Sequence, residues 1–148
     1  MLTNMIISGD LNTPPGQVAY TAAGTYSWTC PPGVTSISIL VVSAGAPGLN
    51  RYTYYSAQEG GTVYMGGYGG SGGGLAYLND YSVTPGTSYT VVISSSSGGS
   101  NYFVNSSVVG ATNAVSGTIA GVNSTAGSAG VGTGTSAVKY RGSDSTGG

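Results

Sequence analysis

Residues 25–43, TYSWTCPPGVTSISILVVS, constrain the fold more than any other part of the chain. An aromatic and β-branched run ends at Cys30, a Pro-Pro-Gly turn follows, and a second run rich in isoleucine and valine begins at Thr35. This order predicts two β-strands folded over the turn. The second run alternates at first and is then continuously apolar through residues 39–42. We therefore expect that strand to be covered on both faces and to lie in the core.

Further strands are predicted along the rest of the chain. Residues 17–21 and 25–30 flank a turn at Gly24, and residues 75–83 and 88–93 flank a Thr-Pro-Gly turn, so each pair reads as a hairpin. Weaker strand patterns lie at 101–104, 107–111, 115–120 and 137–140, and the last would close the sheet. No segment has apolar residues at helical spacing with caps. The sequence predicts an all-β domain, a β-sandwich or jelly roll with long Gly/Tyr-rich loops and essentially no helix.

The alternation also predicts which side chains meet in the core. Residues of one parity in each strand are apolar or aromatic, and two hairpins packed face to face would bring them together. The expected core residues are Trp28, Ile37, Ile39, Val41, Tyr89, Val91 and Ile93. With 148 residues, the chain has the length of one domain. Its expected parts are an N-terminal arm (1–15), a β core (16–120) with a Gly/Tyr-rich insertion (44–74), and a Gly/Ser/Thr-rich C-terminal segment (121–148).

Glycine is unusually frequent, with 28 residues where average usage near 7% predicts about 10. Each extra glycine costs roughly 0.5–1 kcal/mol to order in a regular element, and the sum rivals the roughly 5–15 kcal/mol by which whole domains are stable. Charged residues make up only 5% of the chain, so repulsion between copies is weak. We therefore expect the chain to gain stability from association, as a homo-oligomer.

Glycine also recurs at every third position within residues 66–74, GGYGGSGGG. Three residues make one turn of a polyproline II helix, so segments of this kind could pack side by side as a polyglycine layer. The alternative, an ordinary flexible or looped connection, is favoured because nine residues are too few to establish the repeat. Collagen is excluded because it needs many continuous Gly-X-Y triplets. A phosphate-binding loop is excluded because neither a lysine nor a helix follows.

The residue types present exclude most catalytic chemistry. The chain has no histidine and one cysteine, so a Ser-His-Asp site, a Cys-His site and an internal disulfide cannot form. Cys30 has no base or cation near it in sequence, and we expect a buried, inert thiol. The four carboxylates are interpreted as structural; they are Asp10, Glu59, Asp80 and Asp144. The sequence predicts a protein that is not an enzyme and uses neither a cofactor nor a metal.

Charge and hydropathy predict that the chain neither binds nucleic acid nor spans a membrane. Three basic against four acidic residues give a formal charge of −1 without a basic patch, so the electrostatic contribution to nucleic-acid binding is missing. No run approaches the 18 or so apolar residues of a membrane-spanning helix. Residues 1–10 lack the charged and apolar parts of a secretory signal, so we expect no export by that route.

The insertion has the composition of a recognition surface. It carries five tyrosines among Ser, Gly and Gln, the mixture that antibody binding loops use, because Tyr offers a large amphipathic contact area at low entropic cost. The candidate contact residues are Tyr52, Tyr54, Tyr55, Tyr64 and Tyr68. They would contact either a neighbouring subunit or shell, or an external ligand such as a receptor or glycan.

The order of these features resembles a known family. An aromatic strand, a Pro-Pro-Gly turn, an Ile-Val strand and Gly-rich sequence are followed by a strand, the Thr-Pro-Gly turn at 84–86 and the Tyr-Thr-Val strand at 89–91. Between residues 16 and 93 this order resembles the glycine-rich domain of bacteriophage tail-fibre and other virion-surface proteins. The resemblance implies a non-enzymatic structural protein on the virion surface, assembled in the cytoplasm of a bacterial host, and by analogy a homotrimer.

Two departures from that family bear on the function. The chain is short and has no coiled-coil or repeat shaft, and its glycine runs are shorter and richer in tyrosine. The shortness favours a decoration or cement protein of the head, which would bind the major capsid protein. A tail-fibre or spike-tip adhesin, attached to tail proteins and binding a host receptor, is the first alternative. A glycan-binding module, using Trp28 or the tyrosines to stack against a host surface glycan, is the second.

Overall fold

The computed structural model describes residues 16–119 and 125–145, which contain ten strands and no helix. The strands are β1 (Gly24–Thr29), β2 (Ser36–Val42), β3 (Tyr52–Ser56), β4 (Gly61–Met65), β5 (Leu75–Ser82), β6 (Ser88–Ile93), β7 (Ser100–Phe103), β8 (Val109–Thr112), β9 (Gly132–Thr133) and β10 (Val138–Tyr140). They form three antiparallel sheets, in the orders β1-β6-β7-β8-β9, β10-β5-β2 and β3-β4. The all-β prediction is confirmed. The predicted arm at 1–15, with Asp10, lies outside the described residues.

Neither predicted hairpin forms. The hairpin at the Gly24 turn lacks its first strand, and the Thr-Pro-Gly turn connects β5 and β6 of different sheets, as the Pro-Pro-Gly turn connects β1 and β2. β1 pairs with β6, so that Trp28 lies opposite Tyr89, while β2 pairs with β5. Residues 17–21 form no strand. The two turns bond to each other instead: the Cys30 N–H donates to the Thr87 carbonyl (2.9 Å) and the Gly86 N–H to the Cys30 carbonyl (2.8 Å). β1 and β2 therefore lie in different sheets, and each contributes its apolar face to the core.

One hydrophobic cluster joins the five-stranded and three-stranded sheets. The Phe103 ring lies 5.5 Å from the Tyr89 ring, 6.1 Å from Trp28 and 5.8 Å from Tyr81, measured between centroids. All seven predicted core residues belong to this cluster. Val41 and Val91 are buried, and the other five are half-buried against it. The predicted core is confirmed, whereas the choice between sandwich and jelly roll stays a prediction.

The described residues cover only one of the two faces of β2. Its inward side chains lie in the cluster, but Leu40 and Val42 are 65% and 62% exposed. The prediction that this strand is buried on both faces is therefore wrong. β10 pairs with β5 and completes the three-stranded sheet, as the pattern at 137–140 predicted.

Five segments continue from these sheets, and we call them together the glycine array: 43–49, 67–74, 112–118, 125–131 and 141–145. Its paired segments bond at every third residue, whereas equivalent pairs in an antiparallel β-ladder recur at every second residue. The pairs are Ala46–Ser71, Leu49–Tyr68, Val115–Ser128 and Thr118–Thr125. This repeat is that of a polyproline II helix. The packed polyglycine layer is thus present, and the flexible connection favoured from the sequence is wrong.

The segments of the array bond on several sides. Segment 67–74 pairs with 43–49 and also contacts the other three segments. The Gly72 N–H donates to the Ser143 carbonyl (2.8 Å), the Gly130 N–H to the Gly72 carbonyl (2.9 Å), and the Gly74 N–H to the Thr112 carbonyl (3.3 Å). A strand was predicted at 115–120, of which residue 120 lies outside the described residues. Only isolated bridges form at 115–119, so residues 115–118 belong to the array instead.

Glycine is required where the segments approach most closely. A Cβ at Gly48 would lie 2.6 Å from the Tyr68 carbonyl oxygen, and one at Gly70 would lie 2.8 Å from that of Ala46. Cβ atoms essentially never approach other heavy atoms within 3.0 Å. The periodic glycines therefore remove the side chains that would hold the segments apart, and they allow the backbone groups to bond.

Candidate binding site: the tyrosine hairpin

The tyrosine-rich part of the insertion is a hairpin at the far end of the array. Arg51, β3, the connecting turn and β4 together span residues 51–65, which we call the tyrosine hairpin. It follows directly on the Leu49–Tyr68 pair, and its register places Tyr52 opposite Met65 and Tyr54 opposite Val63. The turn at 57–60 is closed by the Glu59 N–H, which donates to the Ser56 hydroxyl (3.3 Å). The insertion, predicted as a long Gly/Tyr-rich loop, thus contains a β-hairpin.

The two faces of the hairpin differ in exposure. Tyr55 and Tyr64 lie on one face and are 73% and 66% exposed. Thr53 and Thr62 share this face and place hydroxyl groups beside the two rings. The opposite face is half-buried and consists of Tyr52, Tyr54, Val63 and Met65. The exposed face therefore offers two aromatic rings to a partner.

Arg51 adds a positive charge to this exposed face. Its guanidinium carbon lies 5.7 Å from the centroid of the Tyr64 ring, a distance at which cation and ring attract each other. Within 16–119 and 125–145, the ion pair present is Arg141–Asp144, and Arg51 has no carboxylate partner. The sequence interpretation missed Arg51, although its place beside the tyrosines was visible.

The five candidate tyrosines do not all lie at the tip. The hairpin brings together Tyr52, Tyr54, Tyr55 and Tyr64. Tyr68 is half-buried in the array, where its backbone pairs with Leu49. Trp28, the other proposed stacking residue, packs against Tyr89 and Phe103 in the cluster and does not form a free platform.

The pair of array segments 112–118 and 125–131 ends near the start of the hairpin. The Leu49 Cδ1 atom lies 3.0 Å from the position that a Cβ of Gly117 would take, so the two segment ends are adjacent. Thr118 and Thr125, the last described residues of that second pair, share a hydrogen bond of 2.7 Å between their hydroxyls. The segment end at Thr118 therefore lies on the same side of the array as the start of the hairpin.

A groove of 650 Å³ lies beside β2 and is lined mainly by apolar side chains. Residues 16–20 line it together with Trp28, Val91 and Phe103. The described residues contain no group of three His, Cys, Asp or Glu side chains that could hold a metal ion. They also contain no helix long and apolar enough to cross a membrane.

Two ionisable side chains have shifted pKa values. Burial raises the pKa of Tyr20, which lines the groove. The Ala129 N–H and the Arg141 guanidinium donate to the Asp144 carboxylate and lower its pKa. Asp144 is thus a structural residue of the array, and its hydrogen bond to Ala129 connects segments 125–131 and 141–145.

Comparisons of the chain with protein-family models, with curated proteins and with solved structures found no match.

Proposed function

We propose that this protein is a non-enzymatic structural and binding protein of the bacteriophage virion surface, assembled in the host cytoplasm. The order of its elements supports this proposal: β1, the Pro-Pro-Gly turn, β2, the Gly-rich array, β5, the Thr-Pro-Gly turn and β6 follow one another as in the family that the sequence resembles. Its partners are further copies of the chain, as a homotrimer, and other virion proteins.

The position of the tyrosine hairpin favours an adhesin role at a fibre or spike tip. Two exposed rings project from the end of an array whose segments are hydrogen-bonded on several sides. A binding loop held on an ordered support loses less conformational entropy on contact than a free loop does. The exposed Tyr55 and Tyr64 are the observation that carries this proposal.

A head decoration role is the second candidate, and a different surface favours it. Leu40 and Val42 on β2 are exposed, as are Val138 and Tyr140 on β10 across the central strand β5, so the outer face of the three-stranded sheet is apolar at these positions. A decoration protein needs an attachment surface of this kind on the particle. In this case the hairpin would contact a neighbouring virion protein and not a host receptor.

Particles assembled with a Tyr55→Ser/Tyr64→Ser variant distinguish the two roles. Val18→Ser serves as the control, because this exposed side chain lies outside both the hairpin and the three-stranded sheet. An adhesin role predicts that the double variant stays on the particle but fails to adsorb to cells. A decoration role predicts particles that adsorb normally but lose the protein or become sensitive to heat. Particles unchanged in adsorption, retention and heat resistance would refute both roles for the hairpin.

A further inference from the structure

The exposed face of the tyrosine hairpin has the layout of a small two-ring platform. Tyr55 lies opposite Thr62, and Tyr64 lies opposite Thr53, so the two tyrosines are diagonal neighbours across the strands. Diagonal neighbours in an antiparallel pair have Cα atoms about 7–8 Å apart, within reach of one flat ligand that contacts both rings. The two threonine hydroxyls occupy the other diagonal and are available as donors and acceptors.

Arg51 differs from the other two cations of the chain. The Arg141 guanidinium donates to the Asp144 carboxylate, and the Lys139 ammonium donates to the Gly134 carbonyl (3.1 Å). Among residues 16–119 and 125–145, no carboxylate or carbonyl oxygen accepts a hydrogen bond from Arg51, which contacts the Tyr64 ring. Its donors are therefore free to bind an anionic group beside the platform.

The area of the platform is smaller than a conventional protein–protein interface needs. Two aromatic side chains bury roughly 300–500 Å² between them when fully covered. A stable protein–protein interface buries roughly 800 Å² on each partner. A ligand one or two rings wide fits the platform better, because it needs only ring stacking, a few hydroxyl contacts and one ionic contact.

We propose that the tyrosine hairpin binds an acidic saccharide, an inference that rests on the proposed adhesin function and names its ligand class. The apolar C–H faces of one or two sugar rings stack on Tyr55 and Tyr64. Their hydroxyl groups bond to Thr53 and Thr62, and Arg51 binds the acidic substituent in a bidentate manner. A carboxylate and a phosphate ester present the same pair of acceptor oxygens to the guanidinium, so both sources satisfy this site.

Calorimetric titration of the full chain with three probes tests this proposal. The probes are an oligogalacturonate, a mannose 6-phosphate-bearing oligosaccharide and the neutral maltohexaose. We expect at least one acidic probe to bind about tenfold or more tightly than maltohexaose, because hydrogen bonds to charged groups are stronger than neutral ones. The acidic probe that binds identifies the source, and its affinity should fall as salt is raised.

Single variants separate the contributions of the side chains. Arg51→Gln should remove the preference for acidic probes, and Arg51→Lys should restore only part of it, because lysine lacks the planar fork of donors. Tyr55→Ser and Tyr64→Ser should weaken all saccharide binding. Arg141→Gln and Val18→Ser are the controls outside the hairpin and should bind as the unchanged protein does.

The results that would refute the acidic-saccharide site differ from those that would refute the adhesin role. Equal affinity for acidic and neutral probes, or an acidic preference that survives Arg51→Gln, would refute the acidic-saccharide site. The inference would also be refuted if a protein with the circular dichroism spectrum of the folded chain bound none of the three probes. If particles carrying Tyr55→Ser/Tyr64→Ser still fail to adsorb in that case, the adhesin role stands with a receptor other than an acidic saccharide.

Discussion

Ala46 and Ser71 exchange both of their backbone hydrogen bonds, at 2.9 and 3.1 Å, and Leu49 and Tyr68 do the same three residues further along each segment. A β-ladder would have placed the next such pair two residues away. This spacing shows that the array is a separate kind of backbone packing, which begins where β2 and β8 end. The chain therefore supports its projecting hairpin mainly with backbone groups and few side chains.

Gly73→Ala should destabilise the fold strongly, because the added Cβ would overlap the Ser43 carbonyl. We expect a loss of about 1–3 kcal/mol or more, as for other overpacked positions. Gly61→Ala is the matched control, since a Cβ there meets no atom within 4 Å, and alanine should be neutral or slightly stabilising in β4. Chemical denaturation measures both variants. Equal stability of the two would show that the array is not close-packed at this point.

Asn113→Asp should destabilise the junction between the sheets and the array. The buried Asn113 amide donates to the carbonyls of Ser94 and Ser96, both at 2.9 Å, while its oxygen accepts from Ala44 and Asn101. Aspartate keeps the acceptor but removes both donors. Each of these part-buried carbonyls left without its donor costs up to roughly 1–3 kcal/mol.

Asn105→Asp is the control for that substitution. The exposed Asn105 uses its side-chain oxygen as an acceptor for the N–H groups of Ser107 and Val108, and aspartate preserves both bonds. Thermal unfolding of the two variants should therefore show a large loss at position 113 and little change at position 105. Similar losses at both positions would contradict the role assigned to the Asn113 donors.

Cys30→Val should fold normally. Cys30 is 1% exposed, and its thiol donates only a weak hydrogen bond to the Val34 carbonyl at 3.3 Å. A volume-conserving apolar replacement should cost less than about 1.5 kcal/mol. In the unchanged protein, thiol-reactive reagents should label Cys30 only as fast as the chain unfolds. Rapid labelling of the folded protein would show that this thiol is accessible.

Asp144 should make the stability of the array pH-dependent. Its pKa in the folded protein lies below the ordinary value of 3.8, because the Ala129 N–H and Arg141 bind the charged form. This contribution is fully present above the unfolded pKa and is lost as pH falls through the folded pKa. The melting temperature of Asp144→Asn should thus differ from that of the unchanged protein at neutral pH and converge with it towards about pH 2. A constant difference across this range would contradict the assignment.

The sequence predicted the faces of the strands but not their partners. Alternation correctly placed Trp28, Val41 and Val91 in one cluster, because parity depends only on local spacing. The pairing of β1 with β6 depends on two turns that bond to each other, and no local pattern reports that contact. Phe103 was missed as a core residue because its strand has four residues, too few to show a period.

The array and the hairpin were only partly predictable for a related reason. A three-residue repeat was visible at 66–74, but segments 112–118 and 125–131 carry only scattered glycines and gave no such signal. Lateral hydrogen bonds to neighbouring segments, rather than local propensity, hold these residues in the array. The tyrosines were visible as a group, whereas their division into an exposed and a half-buried face depends on the β3–β4 register.

The outer face of the three-stranded sheet should hold the chain in an oligomer. Leu40, Tyr77 and Val138 form one row across the strands, and Val42, Leu75 and Tyr140 form the next. Hydrogen bonding in the array already offsets part of the free energy that ordering the glycines costs. The exposed apolar face is therefore a stronger reason than the glycine content to expect association. Leu40→Asn/Val42→Thr should shift the protein towards monomer in analytical ultracentrifugation while the fold persists. Val18→Thr, at an exposed valine outside the sheet, should not. An unchanged sedimentation coefficient for the double variant would mean that this face is not the subunit interface.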